Sequence, residues 1–231
     1  MKKLVVVIPA YNPPERMISY VDEIGKLDFL KIVVVNDGSE NQFQFIFDQL
    51  QQRDDVIILN NRKNMGQGYS LKKAYKFILK QSYDCRGVIT VDADGQHSVS
   101  DVEKLSKRFL EEPTVARLGV RNFNEKQVPL TRKFANNLTN FLFAHFYHKK
   151  ISDTQSGLRV FPLKLLPELC KIPGDRFEYA LMVLIDFAHN DRELREDEIQ
   201  TIYHKGKKTS TFRPVQDSIR VYRMMWKGKR K

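Results

Sequence analysis

The chain has only two cysteines in 231 residues, Cys85 and Cys170. Two thiols cannot build a disulfide framework or a four-thiolate metal site, and a reducing cytoplasmic setting is expected. No apolar run approaches the ~18 residues that a membrane span needs, so no transmembrane segment is expected. No G-x-G-x-x-G follows the first apolar run and no G-x-x-x-x-G-K-[ST] occurs anywhere, which argues against a dinucleotide dehydrogenase or a P-loop enzyme. Met1-Lys2-Lys3 followed by Leu4-Val5-Val6-Val7-Ile8 has the outline of a signal peptide. Its apolar part is too short, however, and Pro9-Ala10-Tyr11-Asn12 continues it without a cleavage site, so it reads as a first strand.

What is present is a globular composition, 42% hydrophobic and 11% aromatic, at a length that suits one large α/β domain. Strands are expected at 3–9, 31–36, 56–59 and 87–91, with helices between them at 14–26, 42–51 and 68–81. Strands that are apolar almost without a break belong to a parallel sheet covered on both faces. Helices follow at 98–110, with Ser98 or Ser100 as N-cap, at 130–147 and at 177–189. A strand near 199–203 and a last helix over 215–226 complete the pattern. The chain divides at residue 97 into a first half and a second half over 98–213, and a basic tail over 214–231 follows. Net charge is +11, and residues 205–231 carry ten Lys and Arg against Asp217 alone. Such a block suits nucleic acid, anionic headgroups or phosphorylated ligands, and charge alone does not choose.

The chemistry concentrates at strand ends. Val88-Ile89-Thr90-Val91 runs into Asp92-Ala93-Asp94-Gly95-Gln96-His97. Two carboxylates at i and i+2 on an extended segment face the same way and suit a divalent cation that holds a diphosphate. A calcium loop also begins D-x-D, but its sixth position requires glycine and here is His97. Other strand ends carry Asn36-Asp37-Gly38-Ser39 and Asn64-Met65-Gly66-Gln67-Gly68. Each is good turn chemistry taken singly; Asp37 also suits a base or ribose donor, and the glycines suit backbone approach to a phosphate.

Five stretches occur in the order seen in family 2 glycosyltransferases: Ile8-Pro9-Ala10-Tyr11-Asn12, Val35-Asn36-Asp37-Gly38-Ser39, Asn64-Met65-Gly66-Gln67-Gly68, Asp92-Ala93-Asp94-Gly95-Gln96-His97 and Asp153-Thr154-Gln155-Ser156-Gly157-Leu158-Arg159-Val160-Phe161. The chain resembles the branch of dolichyl-phosphate mannose synthase and bacterial polyprenyl-phosphate glycosyltransferases. The resemblance implies a GT-A fold, a Rossmann-like, mostly parallel sheet flanked by helices, with a nucleotide-sugar donor, Mg²⁺ or Mn²⁺, and inversion at the anomeric carbon. It places Pro9, Ala10, Tyr11, Asp37, Gly66, Gly68 and Asp92 on the donor, and Asp92, Asp94 and Gln96 on the metal. Arg121, Arg132, Gln155, Ser156 and Arg213 fall on the acceptor side, and Asp153, Asp94 and Arg132 carry the catalytic roles. The sequence departs from the pattern where Pro13 and Pro14 follow Asn12, and where Gln67 replaces a common cation between the glycines.

Two acceptors stay open. A hydroxyl of a glycan or glycolipid needs a base such as Asp153; a lipid phosphate is already anionic and needs arginines to position it. Asp153 is also read as a turn cap or a partner of Arg159, and Glu178 as a residue that reacts or one that orients a loop. His97 reads as a ligand or as the partner of one, and His145 and His148 as packing residues. Aromatics beside a basic tail suggest peripheral association with an anionic membrane at its cytoplasmic face. A nucleic-acid partner is not expected, since charge alone supports it.

Overall fold

The computed structural model describes residues 1–121 and 130–200, with the backbone alone over 130–138. The first half repeats strand and helix: β1 (Leu4–Ala10), α1 (Met17–Gly25), β2 (Lys31–Asn36), α2 (Gln44–Gln51), β3 (Val56–Asn60), α3 (Gln67–Gln81) and β4 (Gly87–Thr90). The second half holds α4 (Val99–Glu111), β5 (Ala116–Arg121), α5 (Leu130–Tyr147), β6 (Arg159–Pro162), α6 (Leu166–Leu169), α7 (Glu178–His189) and β7 (Leu194–Ile199). Ser98 caps α4, its hydroxyl accepting from the Asp101 N–H, which satisfies one of the helix's free N–H groups.

All seven strands join one sheet in the order β3-β2-β1-β4-β6-β5-β7. Pairing is parallel except along β6, which runs against both β4 and β5. Alternation along β1 splits the core. Leu4, Val6 and Ile8 pack with Met17, Ile24, Phe47 and Phe109, whereas Val5 and Val7 pack with Leu71, Tyr75, Ile78 and Tyr179 on the other face. Fully burying each such side chain stabilises the fold by about 1.5–3 kcal/mol. A third cluster packs Phe143 and Tyr147 of α5 against Leu181, Leu184 and Ile185 of α7.

The sequence pattern places the first four strands within one residue of their observed bounds. It misses β5, β6 and β7 but for its last residue. β7 ends at Ile199, and residues 201–203 lie outside the described ones, as does the helix expected over 215–226. Leu-Arg-Glu-Asp-Glu-Ile does not look like a strand because an inward position is a carboxylate: Asp197 is buried and is neutralised by Arg108 and by Arg117 at 3.0 Å.

Candidate functional site

Because β1 to β4 are parallel, their carboxyl ends share one edge, and the crevice there lies where the strand order reverses about β1. The loops at this edge are laced together. The Asn12 N–H donates to Ser39 Oγ at 2.9 Å, and Asn12 Oδ1 accepts from the Glu40 N–H at 2.9 Å. Asp37 is buried, and its carboxylate accepts from Asn61 Nδ2 at 2.7 Å, the Met65 N–H at 2.9 Å and the Gly66 N–H at 2.8 Å. It therefore holds the loop that opens α3. Ala10 is buried beside it, its carbonyl accepting from the Asp37 N–H at 2.8 Å, while Pro9 and Tyr11 are partly open.

The two glycines pack closely against a neighbouring segment. Gly66 has φ +104°, a left-handed conformation, and a Cβ there would lie 2.3 Å from the Asp175 carbonyl oxygen. A Cβ on Gly68 would lie 2.5 Å from Tyr179 Cβ. The space beside both is filled by the 174–179 segment. Glu178 orients that segment, its Oε1 accepting from the Asp175 and Arg176 N–H groups at 3.3 Å each.

Asp92 and Asp94 leave the end of β4 in contrasting environments. Asp92 Oδ1 accepts from Gln67 Nε2 at 3.2 Å, and Oδ2 lies 3.1 Å from His97 Nε2; 36% of its side chain stays open. Burial works against its charge, but the His97 contact, with Arg121 and Arg159 farther off, outweighs it and holds the carboxyl below its ordinary range. For Asp94 burial and the Asp92 charge prevail and push the carboxyl up. Its Oδ1 accepts from the Gln96 N–H at 3.1 Å.

The reversed strand brings in the third wall. Thr90 pairs with Arg159, so the amino end of β6 lies beside the carboxyl end of β4, and residues 153–158 arrive at the carboxylate pair. Gly157 is what permits the approach: a Cβ there would sit 2.5 Å from both Asp92 oxygens. Thr90 Oγ1 donates to the Gly157 carbonyl at 2.7 Å and pins the turn. Asp153 has no exposed side-chain surface and pairs with Arg121 from the end of β5, Nε to Oδ2 at 2.6 Å and Nη2 to Oδ1 at 3.0 Å. The Gln155 and Arg121 N–H groups add bonds at 3.1 and 3.3 Å. The partner of Asp153 is thus Arg121, where the sequence suggested Arg159. Arg159 instead donates to the carbonyls of Ser156, Ala180 and Thr154. Ser156 is buried, and its hydroxyl has no partner among the described residues.

The side chain of Arg132, in α5, and all of Arg213 lie outside the described residues. Arg16, Tyr20, Gln67 and Gly157 stand at the site without having been assigned a role from the sequence. Gln67 and Gly157 at least lie within the ordered motifs; Arg16 and Tyr20 carry no signal of their own.

A mostly parallel sheet with one reversed strand, and a carboxylate pair at the strand end near a buried acid–arginine pair, fit the GT-A fold that the sequence motifs implied. The chain belongs to glycosyl transferase family 2, whose profile matches residues 5–170. An uncharacterized protein of Methanocaldococcus jannaschii is 30% identical over 87% of this chain and 82% of its own length. The UDP-N-acetylglucosamine–dolichyl-phosphate N-acetylglucosaminyltransferase of Methanococcus voltae is 29% identical over 87% of this chain and 86% of its own. The human dolichyl-phosphate beta-glucosyltransferase is 29% identical over 69% of this chain and 55% of its own. Among solved structures, glucosyl-3-phosphoglycerate synthase from Mycobacterium tuberculosis, in complex with Mn²⁺, UDP and glucosyl-3-phosphoglycerate, superposes with a TM-score of 0.70. It shares 16% identity over 98% of this chain and 78% of that one, a likeness of fold.

Proposed function

We propose that the protein transfers a sugar from a UDP- or GDP-sugar to a polyprenyl phosphate of the dolichyl type, with inversion and with Mg²⁺ or Mn²⁺. The observation that carries the reading is the state of Asp153. Four hydrogen bonds reach its two oxygens, three of them from Arg121, two through its guanidinium and one through its backbone N–H. A buried carboxylate so occupied is a poor general base, and a hydroxyl acceptor needs one. A phosphate oxygen is already a nucleophile. Asp153 then holds Arg121 in position beside an anionic acceptor, with Ser156 offering an unused hydroxyl and Arg132, Gln155 and Arg213 assigned to the same side.

The donor side fits a metal. No group of three or more His, Cys, Asp or Glu that could hold one occurs among the described residues, so the protein supplies part of a ligand set. Asp92 is partly open, and Asp94 carries a charge that burial and Asp92 disfavour. Oxygen donors completed by substrate phosphates suit Mg²⁺ or Mn²⁺. A cation bound by Asp92 and Asp94, with Gln96 beside them, would supply Lewis-acid help to the departing diphosphate. The chain's own residues do the positioning. Gln67 and His97 fix the Asp92 carboxylate, Asp37 sets the loop that opens α3, and Gly157 admits the acceptor turn, so the phosphate attacks the face opposite the bond being broken.

The names of the relatives from Methanococcus voltae and human support the lipid-phosphate acceptor. A thermal-shift panel of UDP-, GDP- and dTDP-sugars with and without Mn²⁺, followed by mass analysis of products from dolichyl phosphate, tests the reading. Saturation at 100 times the dissociation constant adds ~2.7 kcal/mol. A product on a glycan hydroxyl and none on dolichyl phosphate would transfer the base role back to Asp153. No described helix is long and apolar enough to cross a membrane. Phe141, 67% exposed on α5, and the basic tail support peripheral attachment at the cytoplasmic face. Sedimentation with anionic liposomes at low salt, lost at high salt, is the expected result; no sedimentation at low salt would refute it.

A further inference from the structure

α1 meets the Asp92–His97 turn through two side chains one helical turn apart. Arg16 Nε donates to the backbone carbonyl of Asp94 at 2.7 Å, and the Tyr20 hydroxyl donates to the carbonyl of His97 at 2.6 Å. Gly95, at φ +69°, packs against both: a Cβ there would lie 3.7 Å from the Tyr20 ring and 3.9 Å from Arg16 Nε. The Tyr20 hydroxyl has its acceptor. Arg16 is only half served, because its Nη2 is shut away from solvent and has no hydrogen-bond partner among the described residues.

Buried side-chain donors in folded proteins nearly always have an acceptor, and an exception calls for a water, an ion or a ligand. A guanidinium presents its donors in a planar fork that matches phosphate geometry. Three other cations around the site are engaged. Arg121 holds Asp153, Arg159 holds three backbone carbonyls, and Lys72 holds Asp175 and the Gly174 carbonyl. The side chain that touches Asp92 from α3 is the neutral amide of Gln67. Arg16 is therefore the guanidinium beside Asp94 that has a donor to give.

Resting on the donor reading above, we infer that Arg16 binds the donor diphosphate, Nε keeping the Asp94 turn in place while Nη2 donates to a phosphate oxygen. Its charge then faces the leaving group from the α1 side, where negative charge grows as the sugar departs. The proton stays on the guanidinium throughout.

Calorimetric titration of UDP and of UMP in Mn²⁺ into the wild type, Arg16→Ala, Arg16→Gln and Arg16→Lys tests this, with GDP and GMP replacing them if the wild type retains guanosine. Loss of a charge-assisted hydrogen bond predicts about 10- to 100-fold weaker UDP binding in Arg16→Ala and Arg16→Gln. UMP binding should change by less than about threefold, since it lacks the second phosphate, and Arg16→Lys should recover only part of the UDP affinity, because lysine keeps the charge but not the fork that serves the Asp94 carbonyl and a phosphate together. Glutamine can still donate to the Asp94 carbonyl without a charge. Wild-type affinity in Arg16→Gln would therefore reduce Arg16 to a loop tie and overturn the inference, as would equal losses for UDP and UMP in that variant. A wild type that binds none of the four nucleotides would instead refute the donor reading itself.

Discussion

The carboxylates at the strand-end site and several of those in the second half of the chain are held by different means. On the donor side Asp37 is bound by an asparagine amide and two backbone N–H groups, Asp92 by a glutamine amide and His97, and Asp94 by one backbone N–H. In the second half arginines do this work: Arg121 on Asp153, Arg108 and Arg117 on Asp197, and Arg195 on Glu112. Amide and backbone donors orient a carboxylate while leaving its charge available to a cation. Arginine pairs cancel the charge and lock the fold. In the proposed reading the first arrangement serves ligand binding and the second serves architecture, with the Asp153–Arg121 pair doing both, and substitutions should separate them.

The largest expected effects form a crossed pair. Asp94→Ala should lower transfer by about a thousandfold, the upper range for removing a group that stabilises developing charge. It should leave the melting temperature unchanged or raise it, because a carboxyl pushed up by burial and a like charge opposes folding when ionised. Asp197→Ala should do the reverse. It strands Arg117, only 8% exposed, without its partner at 3.0 Å, at a cost of roughly 3–5 kcal/mol. For a chain of this size each kcal/mol moves the transition by about 2–4 °C, so a fall of roughly 6–20 °C is expected by calorimetry. Equal melting losses in the two variants would break the contrast.

A smaller effect is expected where the halves meet. Gly157→Ala places a methyl group 2.5 Å from both Asp92 oxygens, and the turn or the carboxylate must shift. Overpacking of this kind costs about 1–3 kcal/mol. Titration with Mn²⁺ and UDP should show affinity lower by about tenfold, with a melting change of a few degrees. Unchanged affinity would mean that the turn gives way and Asp92 does not.

The donor half was largely legible because its signals are local. Near-continuous Val and Ile runs mark β1 and β2, and Asn-Asp-Gly-Ser and Asp-Ala-Asp-Gly are turns with their own chemistry. Even there, one contact was not legible: nothing in Gly66-Gln67-Gly68 shows that the 174–179 segment fills the space beside them. The acceptor half was harder. β5 carries Arg117 and Gly119 in its interior, and β6 opens with Arg159 and closes with Pro162, so neither shows the apolar run that marks a buried strand. Asp153 seemed closer to Arg159, six residues on, than to Arg121.

By itself the sequence determined the strand–helix alternation of the first half, the carboxylate pair at the end of β4 and the family, since these depend on neighbours in the chain and on ordered motifs. Only the tertiary structure decided which side chains meet that pair. The reversal of β6 delivers Gly157 to Asp92 and brings Asp153 to Arg121 across 32 residues, and α1 carries Arg16 to Asp94 across 78. Such contacts arise from strand order and helix packing, which no local pattern encodes.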